Sequence, residues 1–378
     1  MKPILTLLAA ATVGLFAQAA HADITIGVVA SFTGPAAALG SDIKRAVALM
    51  PATIGTEKIN YILLDDATDP TTAVKNTRKL VSEDKVDAII GPNTNPNAAA
   101  MTAVIHDGKT PMIVITPYDP PEDKRSWIFQ SVQSASLMVQ RLVDDMVERN
   151  VKTVGFIGFA DGWGELLSAE LEKSAQAAGI KVVASERYKR PDTSVTGQVL
   201  KLVSAKPDVV FVGASGAPAA LPQIELRQRG YTGKIYQSHG VTSKDFLRIG
   251  GKSVEGALIP VGPTLVAEQL PDSVPSKKVG VSFNAAYEKM YGADSRSTFA
   301  GSTWDAWLLL SNAIPAALKI AKPGTEAFRQ ALRDNLERTK EMVGVNGVYN
   351  MTAKDHMGLD QRGRVLVEVK NAHWSYVK

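Results

Sequence analysis

The stretch IIGPNTNPNAAAM, Ile89 to Met101, carries the reading of the fold. An apolar run ends at Gly91-Pro92, a polar collar of Asn93, Thr94, Asn95 and Asn97 follows, and an alanine-rich segment takes over. Apolar run, Gly-Pro break and Asn-rich helix start together read as a buried strand passing directly into a helix. Asn95 or Asn97 is expected to cap that helix. The free N–H groups of such a helix start point outward, and its dipole favours negative charge by roughly 0.3–2 kcal/mol. A carboxylate would be received there by backbone N–H groups and by Asn or Thr side chains. The same residues would equally serve if they did no more than cap the helix and shape the turn.

Outward from this stretch, the pattern repeats. ITIGVVA (Ile24–Ala30), INYILLDD (Ile59–Asp66), VDAIIG (Val86–Gly91) and PMIVIT (Pro111–Thr116) are strand-like. Between them lie helical patterns such as PTTAVKNTRKLVSED, with Ala73, Thr77, Leu80 and Val81 near one face. After Asn150 the alternation restarts with KTVGFIGF, GIKVVASERY, PDVVFVGA and GKIYQSH. Strand–helix alternation at this spacing predicts an α/β protein with mainly parallel sheets covered on both faces, in two doubly wound lobes. A long helical region follows Pro263, and the chain closes on a hairpin pattern around Asn371-Ala372. The expected division is residues 23–140 plus 264–345 for the first lobe and 141–263 plus 346–378 for the second.

Composition narrows the function. The 378 residues contain 45% hydrophobic side chains and a formal charge of +4, with basic residues scattered rather than clustered. That argues against nucleic acid as a partner. Residues 1–22 read as a cleavable secretory signal: Lys2, then an apolar run, then Ala20-His21-Ala22. The protein is expected in the periplasm, beginning at Asp23. With no cysteine in the chain, disulfides, thiolate metal sites, a cysteine nucleophile and an acylated lipid anchor are excluded together.

Enzyme signatures are missing. Gly251-Lys252-Ser253 lacks the upstream glycine of a phosphate-binding loop, because Phe246 stands there. The five histidines are isolated, Ser215 has no nucleophile-elbow glycines, and GVVASFTG has the wrong glycine spacing for a dinucleotide. No catalytic residue, cofactor or metal is expected. What remains is six polar loops at the carboxyl ends of predicted strands: Ser31–Gly40, the Asn93 collar, Thr116–Pro121, Phe159–Glu165, Gly213–Pro218 and Ser238–Thr242. Ligands of open α/β sheets bind outside that edge, so two lobes facing each other would make a cleft.

These segments resemble the Leu/Ile/Val-binding family of periplasmic binding proteins of ABC transporters, which have the type I fold. The matching pieces are ITIGVVASFTGPAAALG, LLDDATDPTTAVKNTRKLVSEDKVDAIIGP, TPMIVITP, DGWGELL, VEGALIP and MTAKDHMGLDQRGRVLVEVKNAHW. They cover nearly all of the chain after residue 22. The resemblance implies two lobes joined by three crossovers, a ligand trapped between them, a monomer, and recognition of the closed form by an ABC permease. Asp65, Asp66 and Asp69 are then structural. The family's ligand-carboxylate serine falls at Asn95, its threonine in the loop after the fourth strand at Pro120, its ammonium-pairing acid at His239, and its aromatic in the first loop at Leu39.

Those departures shift the expected ligand. An α-amino acid needs a partner for its ammonium, since an unpaired buried charge is costly. Asp119 would have to supply it. Phe32, Tyr118, Trp163 and His239 instead suit a flat ring with a carboxylate. The expected ligand site is therefore Phe32, Leu39, Asn93, Thr94, Asn95, Thr116, Tyr118, Asp119, Trp163, Ser215 and His239. Its expected occupant is an aromatic acid of benzoate or hydroxycinnamate type. Branched-chain or other amino acids and small amides stay open as alternatives, and a sensor ectodomain or a secreted hydrolase using Ser215 with His239 as further ones. Trp304 and Trp307 are expected in the core.

Overall fold

The structure is a computed structural model that describes residues 23–377. The expected signal segment lies outside the described residues. Among them, no helix is long and apolar enough to cross a membrane.

The strands are β1 (Ile24–Ala30), β2 (Thr53–Ile54), β3 (Glu57–Asp65), β4 (Ala88–Ile90), β5 (Met112–Val114) and β6 (Ile128–Gln130) in the first half. Then come β7 (Thr153–Phe159), β8 (Lys181–Tyr188), β9 (Val209–Gly213), β10 (Lys234–Gln237), β11 (Leu258–Val261), β12 (Met342–Val343), β13 (Val348–Tyr349), β14 (Val365–Lys370) and β15 (His373–Val377). The helices are α1 (Ala37–Val47), α2 (Pro70–Arg78), α3 (Asn95–Asp107), α4 (Ala135–Glu148), α5 (Gly162–Ala177), α6 (Thr196–Ser204) and α7 (Ala220–Gln228). The last four are α8 (Lys244–Gly250), α9 (Lys277–Tyr291), α10 (Thr298–Leu318) and α11 (Glu326–Leu336).

Two large sheets result, ordered β2-β3-β1-β4-β5-β6 and β15-β14-β11-β10-β9-β7-β8, and β12 pairs antiparallel with β13 in a separate two-stranded sheet. All pairings among β3, β1, β4, β5 and β6 are parallel, as are those among β8, β7, β9, β10 and β11. The closing hairpin adds β14 and β15 antiparallel at the edge. Its turn residues Asn371 and Ala372 both have positive φ, 51° and 57°, the conformation of a two-residue turn that matches strand twist.

Period two explains the central strand of the first lobe. Ile24, Ile26, Val28 and Ala30 enter one core, while Val29 enters the core on the opposite face. Such a strand is buried on both sides and cannot alternate with polar residues. Gly91 ends β4 because only glycine fits there: its φ is 102°, and a Cβ would lie 2.0 Å from the Val29 carbonyl oxygen. Trp307 is buried in the first core, with Trp304 packed at its margin.

The cores redraw the expected lobe boundaries. The buried stripe of α4, from Ala135 to Met146, belongs to the second core, so the chain crosses before α4 rather than at 140. Leu265, Val266 and Leu270 still pack into the second core while the Thr264 carbonyl accepts from Asn284 Nδ2 of α9, so the second crossing spans Gly262 to Leu270 rather than falling at 263. Tyr349, Met351 and Leu359 pack into the first, so the last crossing falls near Gly363 rather than at 345. In each case the apolar stripe of an element, not the end of a sequence pattern, decides the side on which it packs.

Candidate functional site

Both sheets direct their carboxyl edges at one another, and helices begin there. α3 starts within the collar at Asn95, α5 follows β7, and α10 starts at Thr298 on the wall of the cleft. The N-terminal turns of α3 and α5 meet across the lobes: a Cβ on Gly162 would lie 2.5 Å from Asn95 Oδ1. Around this point the lobes are closed on each other. The hydroxyls of Thr242 and Thr298 are hydrogen-bonded, and Lys244 Nζ donates to the Ala293 carbonyl at 2.8 Å.

Enclosed between the lobes is a cavity with about 500 Å³ of unfilled space, the solvent-facing part included. The first lobe lines it with Asn93, Thr94, Asn95, Ile115, Thr116, Pro117, Thr298, Phe299 and Ser302. Val132, Gln133 and Gly262 line it at the crossovers, and the second lobe contributes Met138, Trp163, Arg190, Ser215, His239 and Gly240.

The collar is built differently from the capped start expected of it. Thr94 holds the N-cap position of α3, but its side chain makes no capping bond. Neither Asn95 nor Asn97 caps. Asn95 lies inside the first turn and donates through Nδ2 to the Pro117 carbonyl at 2.9 Å. Asn93 Oδ1 accepts from the Ser31 N–H at 2.8 Å. This leaves Asn93 Nδ2 and Thr94 Oγ1 buried without partners. The acidic run beside the collar is structural. Asp69 caps α2 by accepting from the Thr72 N–H at 2.7 Å, Asp66 accepts from Ser31 Oγ at 2.7 Å, and Asp65 accepts from the Phe32 and Thr33 N–H groups.

Across the cavity, Asp161 caps α5 by accepting from the Trp163 and Gly164 N–H groups. Its other oxygen takes the Arg190 Nε at 2.6 Å. Arg190 also donates to Ser215 Oγ at 3.1 Å and lies 4.2 Å over the Phe159 ring. Trp163 and His239 meet edge to face at 5.3 Å. Trp163 Nε1 and both His239 ring nitrogens are buried without hydrogen-bond partners. Burial pushes the His239 imidazolium down to about 4, so the ring is neutral at neutral pH, with one donor and one acceptor nitrogen. Buried polar atoms are normally satisfied. Here five unsatisfied ones border a single cavity.

Seven of the eleven expected residues line it: Asn93, Thr94, Asn95, Thr116, Trp163, Ser215 and His239. Four do not. Tyr118 turns into the first lobe, its hydroxyl 2.9 Å from Thr102 Oγ1. Asp119 is 85% exposed and faces Arg125 at 3.6 Å, so it brings no charge to the cavity. Leu39 is buried in the first core and Phe32 packs at its margin. Sequence reasoning missed Arg190, Gln133 and the Thr298–Ser302 turn. A signal for Arg190 existed: KRPDTS follows the strand GIKVVASERY, a strand end of the second lobe outside the six polar loops. Ser215 accepts from Arg190 and neither His239 nitrogen bonds it, so a Ser–His nucleophile pair is not assembled.

The comparisons with known proteins agree with this architecture. The family described as periplasmic binding protein matches residues 23–372. A Leu/Ile/Val-binding protein homolog from Brucella melitensis is 27% identical over 335 residues, 83% of this chain and 88% of that protein. The crystal structure of an extracellular ligand-binding receptor from Rhodopseudomonas palustris HaA2 is 46% identical, covers 94% of this chain and 100% of its own, and superposes with a TM-score of 0.92. An ABC-transporter solute-binding protein from R. palustris, solved in complex with benzoate, shares the fold at a TM-score of 0.79 and 20% identity, covering 94% of this chain and 96% of its own. Parallel lobes, three crossovers and a closed interlobe cavity, together with these matches, show that the chain belongs to the periplasmic binding protein family, as a type I solute-binding protein of the Leu/Ile/Val-binding branch.

Proposed function

We propose that this protein captures an aromatic carboxylate of benzoate or hydroxycinnamate type between its lobes and delivers it, as a monomer, to an ABC permease. The observation that carries the reading is the charge inventory of the cavity. Its lining includes Arg190 and no aspartate or glutamate. An ammonium group enclosed there would lose its water and find no free counter-charge, because Asp161, behind Arg190, is already taken by that guanidinium and by the Trp163 and Gly164 N–H groups. A carboxylate would meet a guanidinium already held in place, and such charge-assisted bonds are among the strongest available to a side chain. The α3 and α5 N-termini add favourable dipoles from opposite lobes. In this reading the carboxylate sits near Arg190 and the collar. The ring lies among Trp163, Phe299 and Met138, and the ring hydroxyls are met by His239, Thr116 or Asn93. A protein of this fold holds benzoate, so the architecture can enclose such a ring.

The competing reading takes its weight from the relative named for Leu, Ile and Val. Calorimetric titration separates the two, using protein unfolded and refolded to strip any ligand. The panel is benzoate, hydroxybenzoates, hydroxycinnamates, leucine, phenylalanine and an amide. Heat with acids that lack an ammonium, and none with amino acids, is expected. Binding of leucine or phenylalanine without the aromatic acids would overturn the proposal.

A further inference from the structure

The tight turn between β12 and β13 touches every crossover. The Asn346 carbonyl accepts from Gln133 Nε2 at 3.2 Å, and the same nitrogen donates to the Gly363 carbonyl at 2.6 Å. A Cβ on Gly262 would fall 2.3 Å from Asn346 Oδ1. Asn346 Nδ2 also donates to Ser302 Oγ at 3.2 Å. Gln133, Gly262 and Ser302 all border the cavity, so this turn couples the hinge to the enclosed space.

The turn is held from below by Asp305 of α10, which has no exposed surface. Its Oδ1 accepts from the Val345 N–H at 2.7 Å, and its Oδ2 from the Asn346 N–H at 2.9 Å. The Tyr349 hydroxyl lies 2.9 Å from Asp305 Oδ2 and 2.8 Å from the Ser131 carbonyl oxygen, at the first crossover. A phenol carries one proton. If Asp305 were ionised, two acceptors would compete for it, and one of these short oxygen–oxygen contacts would hold no hydrogen. A proton on Asp305 resolves both contacts.

We propose that Asp305 is protonated in the folded protein and is the positioning residue of the hinge, donating from Oδ2 to Tyr349, which in turn donates to the Ser131 carbonyl. The proton thereby ties the first crossover to the turn that clasps the other two. Loss of it turns the Tyr349 hydrogen toward the carboxylate and frees the first crossover. Desolvation is the dominant influence on Asp305 and pushes its carboxyl up to about 7, against the N–H groups of Val345 and Asn346, the Tyr349 hydroxyl and the Asn346 side chain. Of these groups Tyr349 alone titrates, its own proton held on well above the usual phenol range, and none is charged. The proposal goes beyond the ligand reading and does not depend on it.

The sign follows from linkage. A carboxyl raised on folding binds its proton more tightly in the native state, so its contribution is complete in acid and is lost as pH rises through neutrality. The test is urea unfolding of the full mature chain and of Asp305→Asn from pH 4 to 8. The ratio of folding constants, native sequence over variant, is expected to fall by up to about tenfold per pH unit between pH 4 and 7 and then to level. A ratio that is flat above pH 5, or that rises with pH, overturns the proposal. If Asp305→Asn does not fold, the carboxyl ¹³C titration of aspartate-labelled protein decides instead. A signal titrating near neutrality and displaced in Tyr349→Phe supports the proposal. The absence of any carboxyl above pH 5 that responds to Tyr349→Phe defeats it.

Discussion

Arg190 is held on three sides, by Asp161, by Ser215 and by the Phe159 ring. A guanidinium so fixed loses little entropy when an anion arrives. Arg190→Met keeps the stem and removes the charge. It is expected to lower affinity for an aromatic carboxylate by at least tenfold in calorimetry while leaving the corresponding amide little changed. Trp163 contributes both to the second core and to the cavity wall. Trp163→Phe preserves most of that packing and removes an unpartnered N–H. We expect an unchanged melting temperature and affinity lower by about 3- to 10-fold, in line with loss of one hydrogen bond. His239 acts through pH. Its proton affinity is depressed on folding, so its contribution is complete above pH 6.5 and is lost as pH falls toward 4. The stability difference between native sequence and His239→Gln should therefore shrink toward acid, by on the order of 3 kcal/mol across that window. Asp305 slopes the opposite way over much of the same range, so the two contributions separate only in single variants.

At the scale of elements, the helix starts divide into two kinds. α4 begins with Ser134 accepting from the Leu137 N–H at 3.1 Å, and α2, α5, α10 and α11 have comparable side-chain caps. α3 has none, although Thr94 is in place to supply one. Capping side chains are usually spent on the helix's own N–H groups, and losing one costs about 1 kcal/mol. Ser134→Ala should lose about that much in chemical unfolding. Thr94→Val should lose less than about 0.5 kcal/mol yet weaken ligand binding, because its hydroxyl faces the cavity rather than the helix. Equal losses of stability in the two variants would show that Thr94 is only a cap. How much of this was legible follows from the same contrast. Asp69-Pro70 announces a capped start, and Asp69 does cap. The collar looked like a capping sequence too, because the residue types that cap are also those that bind.

For the whole molecule, the decisive contacts cross between lobes. A Cβ on Gly162 at the start of α5 would press on Asn95 Oδ1 of the other lobe, although alanine suits a helix start. Gly162→Ala is expected to fold normally and to hold the lobes slightly apart. Ligand affinity should fall by about tenfold while the melting temperature of the stripped protein stays the same. Hinge closure is driven only by the difference in ligand affinity between open and closed forms. Small-angle scattering should accordingly show a smaller radius of gyration when ligand is added to stripped native protein. No such change with a saturating ligand would mean that the lobes close without it.

Sequence alone determined the α/β alternation, the strands buried on both faces, the closing hairpin and the polar collars at the strand ends. Each is set by local periodicity and turn chemistry within about ten residues. Only tertiary structure decided which collar residues reach the cavity. Tyr118 and Asp119 sit in the same strand-end loop as Thr116, yet packing against Thr102 and an ion pair with Arg125 carry them away. Arg190 enters from the strand-end loop KRPDTS, whose position pointed to the cleft but whose composition did not say which side chain turns inward. The crossovers were misplaced for the same reason: Gln133 meets Asn346 across 213 residues of chain, and no local pattern encodes which apolar stripe finds which core.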